Sequence, residues 1–168
     1  MAVWINNHQR RVALNTPLVK KQALRMMAYL GCSDSELSVV FVHDERMRSL
    51  NRTYRCKDRP TNVLAFPQCQ TYEGEPPTLL LGDVVIALPT AAREAHELRQ
   101  TLEERVVFLL AHGLLHLLGY DHERSAAQRH RMERREQDVL SHLKEEQTAA
   151  TEHPQTCLLY TSPSPRDS

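Results

Sequence analysis

Residues 101–118 constrain the fold most, because their pattern predicts one helix that has to be buried. Thr101 and Glu104 have the spacing of a capping box, in which each side chain accepts a hydrogen bond from the other residue's backbone N–H, so a helix is expected to begin here. Apolar side chains then cover most of the circumference of this helix rather than one stripe. They are Val106, Val107, Leu109, Leu110, Leu114, Leu115, Leu117 and Leu118. The chain is therefore expected to pack around this central helix.

Histidines lie on this helix and just beyond it, in the segment HGLLHLLGYDH at residues 112–122. His112 and His116 are four residues apart, which places them one turn apart on the same face of a helix. Gly119 can take the left-handed conformation that ends a helix, and the chain could then bring His122 toward the first two histidines. Three neutral imidazoles with one open position describe a catalytic zinc site.

Two alternatives to a catalytic metal site have to be weighed. A histidine pair in a buried helix can be held by hydrogen bonds in the core, but the glycine and the third histidine at this spacing favour a metal. A structural zinc site normally completes its shell with cysteine, and Cys32, Cys56 and Cys69 have no CxxC partner. The fourth position is therefore expected to hold water, and the expected cofactor is zinc or another divalent ion such as nickel.

The segment departs from zinc proteases at one position. Proteases of the H-E-x-x-H-x-x-G-x-x-H type carry a glutamate after the first histidine, where it acts as general base. Gly113 occupies that position here. Because general-base catalysis typically contributes about 10²- to 10⁴-fold, peptide hydrolysis is the weaker interpretation of this segment.

The histidine segment resembles the signature of the YbeY family, the bacterial zinc-dependent endoribonucleases that are also described as ribosomal RNA maturation factors. Two further blocks support the resemblance in the same order along the chain. Residues 54–67, YRCKDRPTNVLAFP, resemble the family pattern Y-R-x-K-D-x-P-T-[DN]-V-L-S-F-P, and residues 81–83 resemble its L-G-D. Ala65 stands where the family usually has serine, so this chain has no hydroxyl there.

The resemblance covers about residues 1–145, which are expected to form one metal-dependent endoribonuclease domain. It implies that His112, His116 and His122 hold one zinc ion and that Arg55 is catalytic. It also implies single-stranded ribosomal RNA as the substrate, cleaved by metal-activated hydrolysis during ribosomal RNA maturation and ribosome quality control. Ribosomal proteins and ribosome-associated GTPases are the implied partners. Whether water or the 2′-hydroxyl of the RNA is the nucleophile stays open.

The charge distribution points to a local RNA site. The chain has 21 basic and 21 acidic residues, so the molecule as a whole does not attract nucleic acid. Residues 46–59, however, contain only one acidic residue among many basic ones. Within this run Arg52, Lys57 and Arg59 are candidate substrate-binding residues beside Arg55, whose guanidinium can hold two phosphate oxygens at once. A solvated helix face would show the same charge run.

Two aspartates are candidates for orienting a metal-binding imidazole through a hydrogen bond to its other ring nitrogen. Asp121 precedes the third histidine and Asp83 belongs to the L-G-D block. Carboxylates often accept a hydrogen bond from the second ring nitrogen of a metal-binding histidine. Capping of a turn by aspartate would explain either residue equally well.

The remaining elements predict an α+β fold, a single domain with a small mixed β-sheet covered by helices. Strands are expected at residues 3–5, 37–42, 62–66 and 84–88, with the first at a sheet edge. Helices are expected from Thr16 as N-cap, across residues 44–54, from residue 89, and after the histidine segment up to about Lys144.

Residues 146–168 have no periodicity and are expected to be a disordered or non-native tail. No apolar run reaches the roughly 18 residues of a membrane span, and no stretch resembles a signal peptide, so a cytoplasmic protein is expected. A ribosome assembly factor that binds RNA without cutting it is a further possibility, and it would keep its binding after loss of the metal.

Overall fold

Four short stretches rich in β-branched residues pair into one mixed sheet in a computed structural model of the chain, which describes residues 2–55, 61–69, 72–121 and 125–157, with side chains to residue 145. Helices cover both faces of this sheet, so the predicted α+β class is confirmed. The elements are β1 (Ala2–Asn7), α1 (Thr16–Tyr29), β2 (Glu36–Val42), α2 (Asp44–Arg55), β3 (Val63–Pro67), β4 (Leu80–Ala87), α3 (Leu88–Leu98), α4 (Leu102–Leu117) and α5 (Ala126–Cys157).

The strand order is β1-β2-β4-β3, with β1, β2 and β4 parallel and β3 antiparallel to β4. The predicted edge strand at residues 3–5 is confirmed, since β1 pairs with β2 alone. Side chains of successive strand residues point to opposite faces. On β4, Val84 and Ile86 join the larger core with α1 and α4, whereas Val85 and Ala87 join a smaller core with α2. α2 and α4 therefore lie on opposite faces of the sheet.

The helix α4 is the central buried helix that the sequence predicts. Both hydrogen bonds of the capping box are present: Glu104 N donates to Thr101 Oγ1 at 3.1 Å, and Thr101 N donates to Glu104 Oε1 at 2.8 Å. The helix contacts α1, α3, α5, β3 and β4. Residues around most of its circumference are buried as a result, namely Val106, Leu109, Leu110, Ala111, Gly113, Leu114, Leu115 and Leu117.

The helix α4 lies close against the sheet at Gly113. A Cβ atom at this position would lie 2.7 Å from Cγ1 of Val84, which is closer than real Cβ contacts allow. Val84 is fully buried and β-branched, so its methyl groups have little freedom to move away. A side chain at residue 113 would therefore require the helix or Val84 to shift.

Two predicted helix ends differ from the structure. The N-cap of α1 is Asn15 rather than Thr16, because the Asn15 side chain accepts a hydrogen bond from Leu18 N at 3.2 Å and Thr16 is already helical. The helix α5 continues to Cys157, beyond the predicted end near Lys144. Glu, Gln and Ala are strong helix formers and follow directly at residues 145–150, so the helix does not need its apolar stripe to continue.

Residues 158–168 lie outside the described part of the chain, so the non-native tail stays a prediction. Among the described helices, none combines the length and the apolar character needed to cross a membrane.

The packing at Gly113 predicts that Gly113→Ala lowers the free energy of unfolding by about 1–2 kcal/mol, because steric overpacking outweighs the better helix propensity of alanine. Urea denaturation of the variant would measure this loss. In a Val84→Ala background the methyl groups are gone, and the same substitution should then stabilise the protein or leave it unchanged. Equal losses in the two backgrounds would contradict the proposed contact.

Candidate functional site

The predicted pair of histidines lies side by side on α4. The ring centroids of His112 and His116 are 4.8 Å apart, and the rings meet edge to face at 73°. Both residues are half-buried, whereas Gly113 between them is buried against the sheet. The helix thus holds its glycine against β4 and places the two imidazoles next to each other.

The turn after α4 also follows the prediction. Gly119 has φ = +100°, in the region that L side chains rarely adopt. Gly119 N donates to His116 O at 3.0 Å and Tyr120 N donates to Leu115 O at 3.0 Å, so the chain closes the helix end and turns back. His122 lies outside the described residues, and the described residues contain no group of three or more His, Cys, Asp or Glu that could hold a metal ion. The third ligand stays a prediction.

Glu136 of α5 contacts His112 and is a site residue that the sequence did not single out. His112 Nδ1 and Glu136 Oε2 are in hydrogen-bond contact, and Glu136 is only 7 % exposed. A local signal for it did exist. Glu136 occupies the buried stripe of α5 between Met132 and Val139, at a spacing where a further apolar residue would be expected. An acid in that stripe indicates a buried partner on another element.

A cavity of about 230 Å³ lies beside His112, between the start of β3, α4 and α5. It is lined by Asn62, Val63, Phe108, Leu109, His112, Met132, Glu133 and Glu136. Asn62 is fixed at its rim, because its Nδ2 donates to Glu94 at 3.2 Å and Arg105 Nε donates to the same carboxylate at 2.9 Å. His112 therefore borders a preformed space.

Arg55 lies at the end of α2, on the helix that covers the opposite face of the sheet. Its neighbour Tyr54 is 64 % exposed and packs edge-on against Phe66 of β3, with ring centroids 5.2 Å apart. The strand β3 also begins beside the cavity at His112, through Val63. Tyr54, next to Arg55, and His112 thus lie near the same edge strand, on helices that cover opposite faces of the sheet.

The basic run continues along α2. Arg48, Arg52 and Arg55 are spaced by four and three residues, so they share one face of the helix, and all three are exposed. Lys57 and Arg59, the other predicted substrate-binding residues, lie outside the described residues.

Asp83 and Asp121, the two aspartates predicted to orient an imidazole, lie in different parts of the fold. Asp83 is paired with Phe66 and Ser38 in the sheet and precedes Val84, which faces α4. Because side chains alternate along a strand, Asp83 lies on the face of α2, and the structure does not bring it to the histidines. Asp121 follows the turn after α4 and is half-buried. Its role in orienting an imidazole stays a prediction.

The N-terminus of α2 is tied to α3 by an ion pair. Arg93 Nη2 donates to Asp44 Oδ2 at 2.7 Å and Thr90 Oγ1 donates to Asp44 Oδ1 at 2.8 Å. Partial burial raises the pKa of Asp44, but the hydrogen bonds from Arg93 and Thr90 and the charge of Arg93 outweigh it and leave the pKa below its usual value. These contacts fix the orientation of the helix that ends in Arg55.

Sequence comparison assigns the chain to a family. A sequence model of the family described as Endoribonuclease YbeY matches residues 4–144. The chain belongs to the YbeY family. Proteins named Endoribonuclease YbeY from Geobacter metallireducens and Geobacter sulfurreducens are 47% and 45% identical over 147 and 142 residues, which cover 87% and 84% of this chain and 98% and 95% of the relatives.

A third relative agrees with this assignment. The protein of the same name from Aquifex aeolicus is 45% identical over 125 residues, or 74% of this chain and 81% of its own length. A solution structure from Thermotoga maritima superposes with a TM-score of 0.54 at 23% identity, covering 86% of this chain and 93% of that one. This last likeness shows the fold alone.

The ion pair at Asp44 predicts a pH-dependent loss of stability in Asp44→Asn. The folded-state pKa of Asp44 is depressed, so its contribution is present above the unfolded pKa and is lost as the pH falls through the folded pKa. At neutral pH the variant should be less stable by about 1 kcal/mol.

Thermal unfolding of both proteins between neutral and strongly acidic pH would measure the difference, which should shrink toward zero at the acidic end. A difference that is independent of pH would show that the carboxylate charge does not matter.

Proposed function

We propose that this chain is a metal-dependent endoribonuclease that cleaves single-stranded RNA. The observation that carries the proposal is the pair of imidazoles that α4 holds side by side, with His112 at the cavity and the Gly119 turn directly after the helix. The relatives named Endoribonuclease YbeY support RNA as the substrate. We further propose ribosomal RNA maturation and ribosome quality control in the cytoplasm as its setting, with ribosomal proteins and ribosome-associated GTPases as partners.

The residues fit a zinc ion held by His112, His116 and His122. His112 contacts Glu136 through Nδ1, so Nε2 is the ring nitrogen that would bind the metal, and His116 lies beside it on the same helix face. Zinc or another divalent ion bound there would supply Lewis-acid chemistry, lowering the pKa of water and polarising a phosphate oxygen. Among described cysteines, Cys32 is buried in the core with its pKa raised to about 11 by burial, so it is no candidate ligand.

The chain's own residues supply charge stabilisation and positioning. A guanidinium stays protonated at every physiological pH, so Arg55 can hold a phosphate and stabilise added negative charge without moving a proton. Arg52, on the same face of α2, would hold a neighbouring phosphate, and the predicted Lys57 and Arg59 would extend that path. The exposed ring of Tyr54 offers a surface on which an unpaired base can stack.

This arrangement favours a single strand over a duplex. The helix α2, which ends in Arg55, and the helix α4, which carries the histidines, lie on opposite faces of the sheet; Tyr54 packs on Phe66 of β3, and His112 shares a cavity with Val63 of the same strand. A substrate that contacts both Arg55 and the histidines has to bend round this edge, which an unpaired strand does more easily than an A-form helix. We therefore propose that the RNA backbone crosses β3 between Arg55 and His112.

A zinc protease is disfavoured by packing as well as by chemistry. The position of the protease general base is Gly113, and a Cβ atom there would already lie 2.7 Å from Val84. A glutamate at this position would point into the sheet rather than toward a substrate. The site therefore lacks both the base and the room for it.

Full-length protein loaded with zinc should cleave a labelled single-stranded fragment of ribosomal RNA and leave the corresponding duplex intact. A chelator or His116→Ala should abolish cleavage, and Arg55→Ala should lower kcat by about 10²- to 10³-fold, the loss typical of a group that stabilises transition-state charge. His130→Ala, an exposed histidine of α5, is the matched control and should retain full activity. Undiminished turnover in His116→Ala or in the chelated protein would overturn the proposal.

A further inference from the structure

Glu136 occupies a position where the fold would otherwise place an apolar side chain. It lies on the buried face of α5 between Met132 and Val139, which are 1% and 0% exposed, and is itself only 7% exposed. Removing a carboxylate from water is unfavourable unless the protein offers it a hydrogen-bond donor. The group that contacts Glu136 in this structure is Nδ1 of His112.

The contact selects one tautomer of His112. An ionised carboxylate can only accept hydrogen bonds, so the proton of the imidazole has to reside on Nδ1. The lone pair then lies on Nε2, at the other side of the ring. The contact also fixes rotation about the side chain of His112, because Glu136 approaches from a different helix than the one that carries the histidine.

Metal-binding histidines commonly donate their second N–H to a carboxylate, which orients the ring and makes it a better ligand. His112 meets the geometric part of this description, with the carboxylate on one nitrogen, the ring of His116 4.8 Å away and the cavity alongside. Asp83, which the sequence suggested for this role, lies on the face of the sheet opposite α4, whereas Glu136 contacts His112 directly.

We propose that Glu136 is the positioning residue of the metal site, holding His112 in the tautomer and orientation that bind a divalent ion through Nε2. The proposal rests on the proposed function, because it requires His112 to be a metal ligand. Glu136 touches neither RNA nor the metal in this account, and acts through His112 alone.

Glu136→Gln tests the proposal, because the amide keeps the size of the side chain and removes the charge that stabilises the Nδ1–H donor. Glu133→Gln is the matched control: Glu133 lies on the same helix, lines the same cavity and undergoes the same chemical change, but is exposed. The zinc dissociation constant of each full-length protein would be measured by competition with a chromophoric chelator. Glu136→Gln should bind zinc about 10- to 100-fold more weakly than the native chain, and Glu133→Gln as tightly as the native chain.

Two further measurements distinguish a positioning role of Glu136 from a structural one. The visible absorption of the cobalt-substituted protein reports ligand geometry and should change in Glu136→Gln but not in Glu133→Gln. If Glu136 has a purely structural role, Glu136→Gln should lower the melting temperature of the metal-free protein but leave the zinc dissociation constant and the cobalt spectrum unchanged. That result would overturn the inference.

The native chain provides a test that does not depend on any variant folding. Long-range ¹H–¹⁵N spectra of the metal-free protein should show the neutral His112 ring protonated at Nδ1, and a ring protonated at Nε2 would contradict the inference. If the native chain and Glu136→Gln bind zinc with equal affinity, Glu136 has no positioning role, but the proposed function stands. Failure of the native chain to bind zinc would instead remove the proposed function, and this inference with it.

Discussion

The close approach of α4 to the sheet at Gly113 is the contact on which the candidate site depends. With only a hydrogen atom at this position, the helix lies directly against Val84 and Gly113 faces the sheet. The same helix carries His112 against α5 and the cavity, with the ring of His116 beside it. The contact at Gly113 also excludes a protease-like glutamate. One packing constraint therefore fixes the helix that carries the histidine pair and removes an alternative chemistry.

The features that the sequence predicted correctly depend on interactions between residues that are close together along the chain. The capping box at Thr101, the i and i+4 histidines and the left-handed Gly119 each depend on residues within two turns of one another, and the structure contains all of them. The predicted sheet also follows from local patterns, because short β-branched runs leave few other options. Helix ends were predicted less well, since Asn15 and Thr16 are both good caps and only the geometry of the following turn decides between them.

The features that the sequence did not predict depend on contacts between distant elements. Glu136 meets His112 because α5 folds back along α4, and the sequence offers only the indirect sign of an acid within an apolar stripe. Asp83 lies on the face opposite α4 because of strand alternation, and a bulge in β4 between the partners of Glu36 and Leu37 sets that register. A motif such as L-G-D states which residues are present but not which face of the sheet they occupy.

The central claim is that imidazoles of this chain hold a metal ion, and X-ray absorption at the zinc edge of the zinc-loaded, full-length protein tests it most directly. We expect nitrogen and oxygen ligands at about 2.0–2.1 Å from the zinc, with the multiple-scattering pattern of several imidazole rings and no sulfur. Sulfur scattering at about 2.3 Å would assign the metal to cysteines instead. A shell of oxygen without imidazole scattering would equally contradict the account.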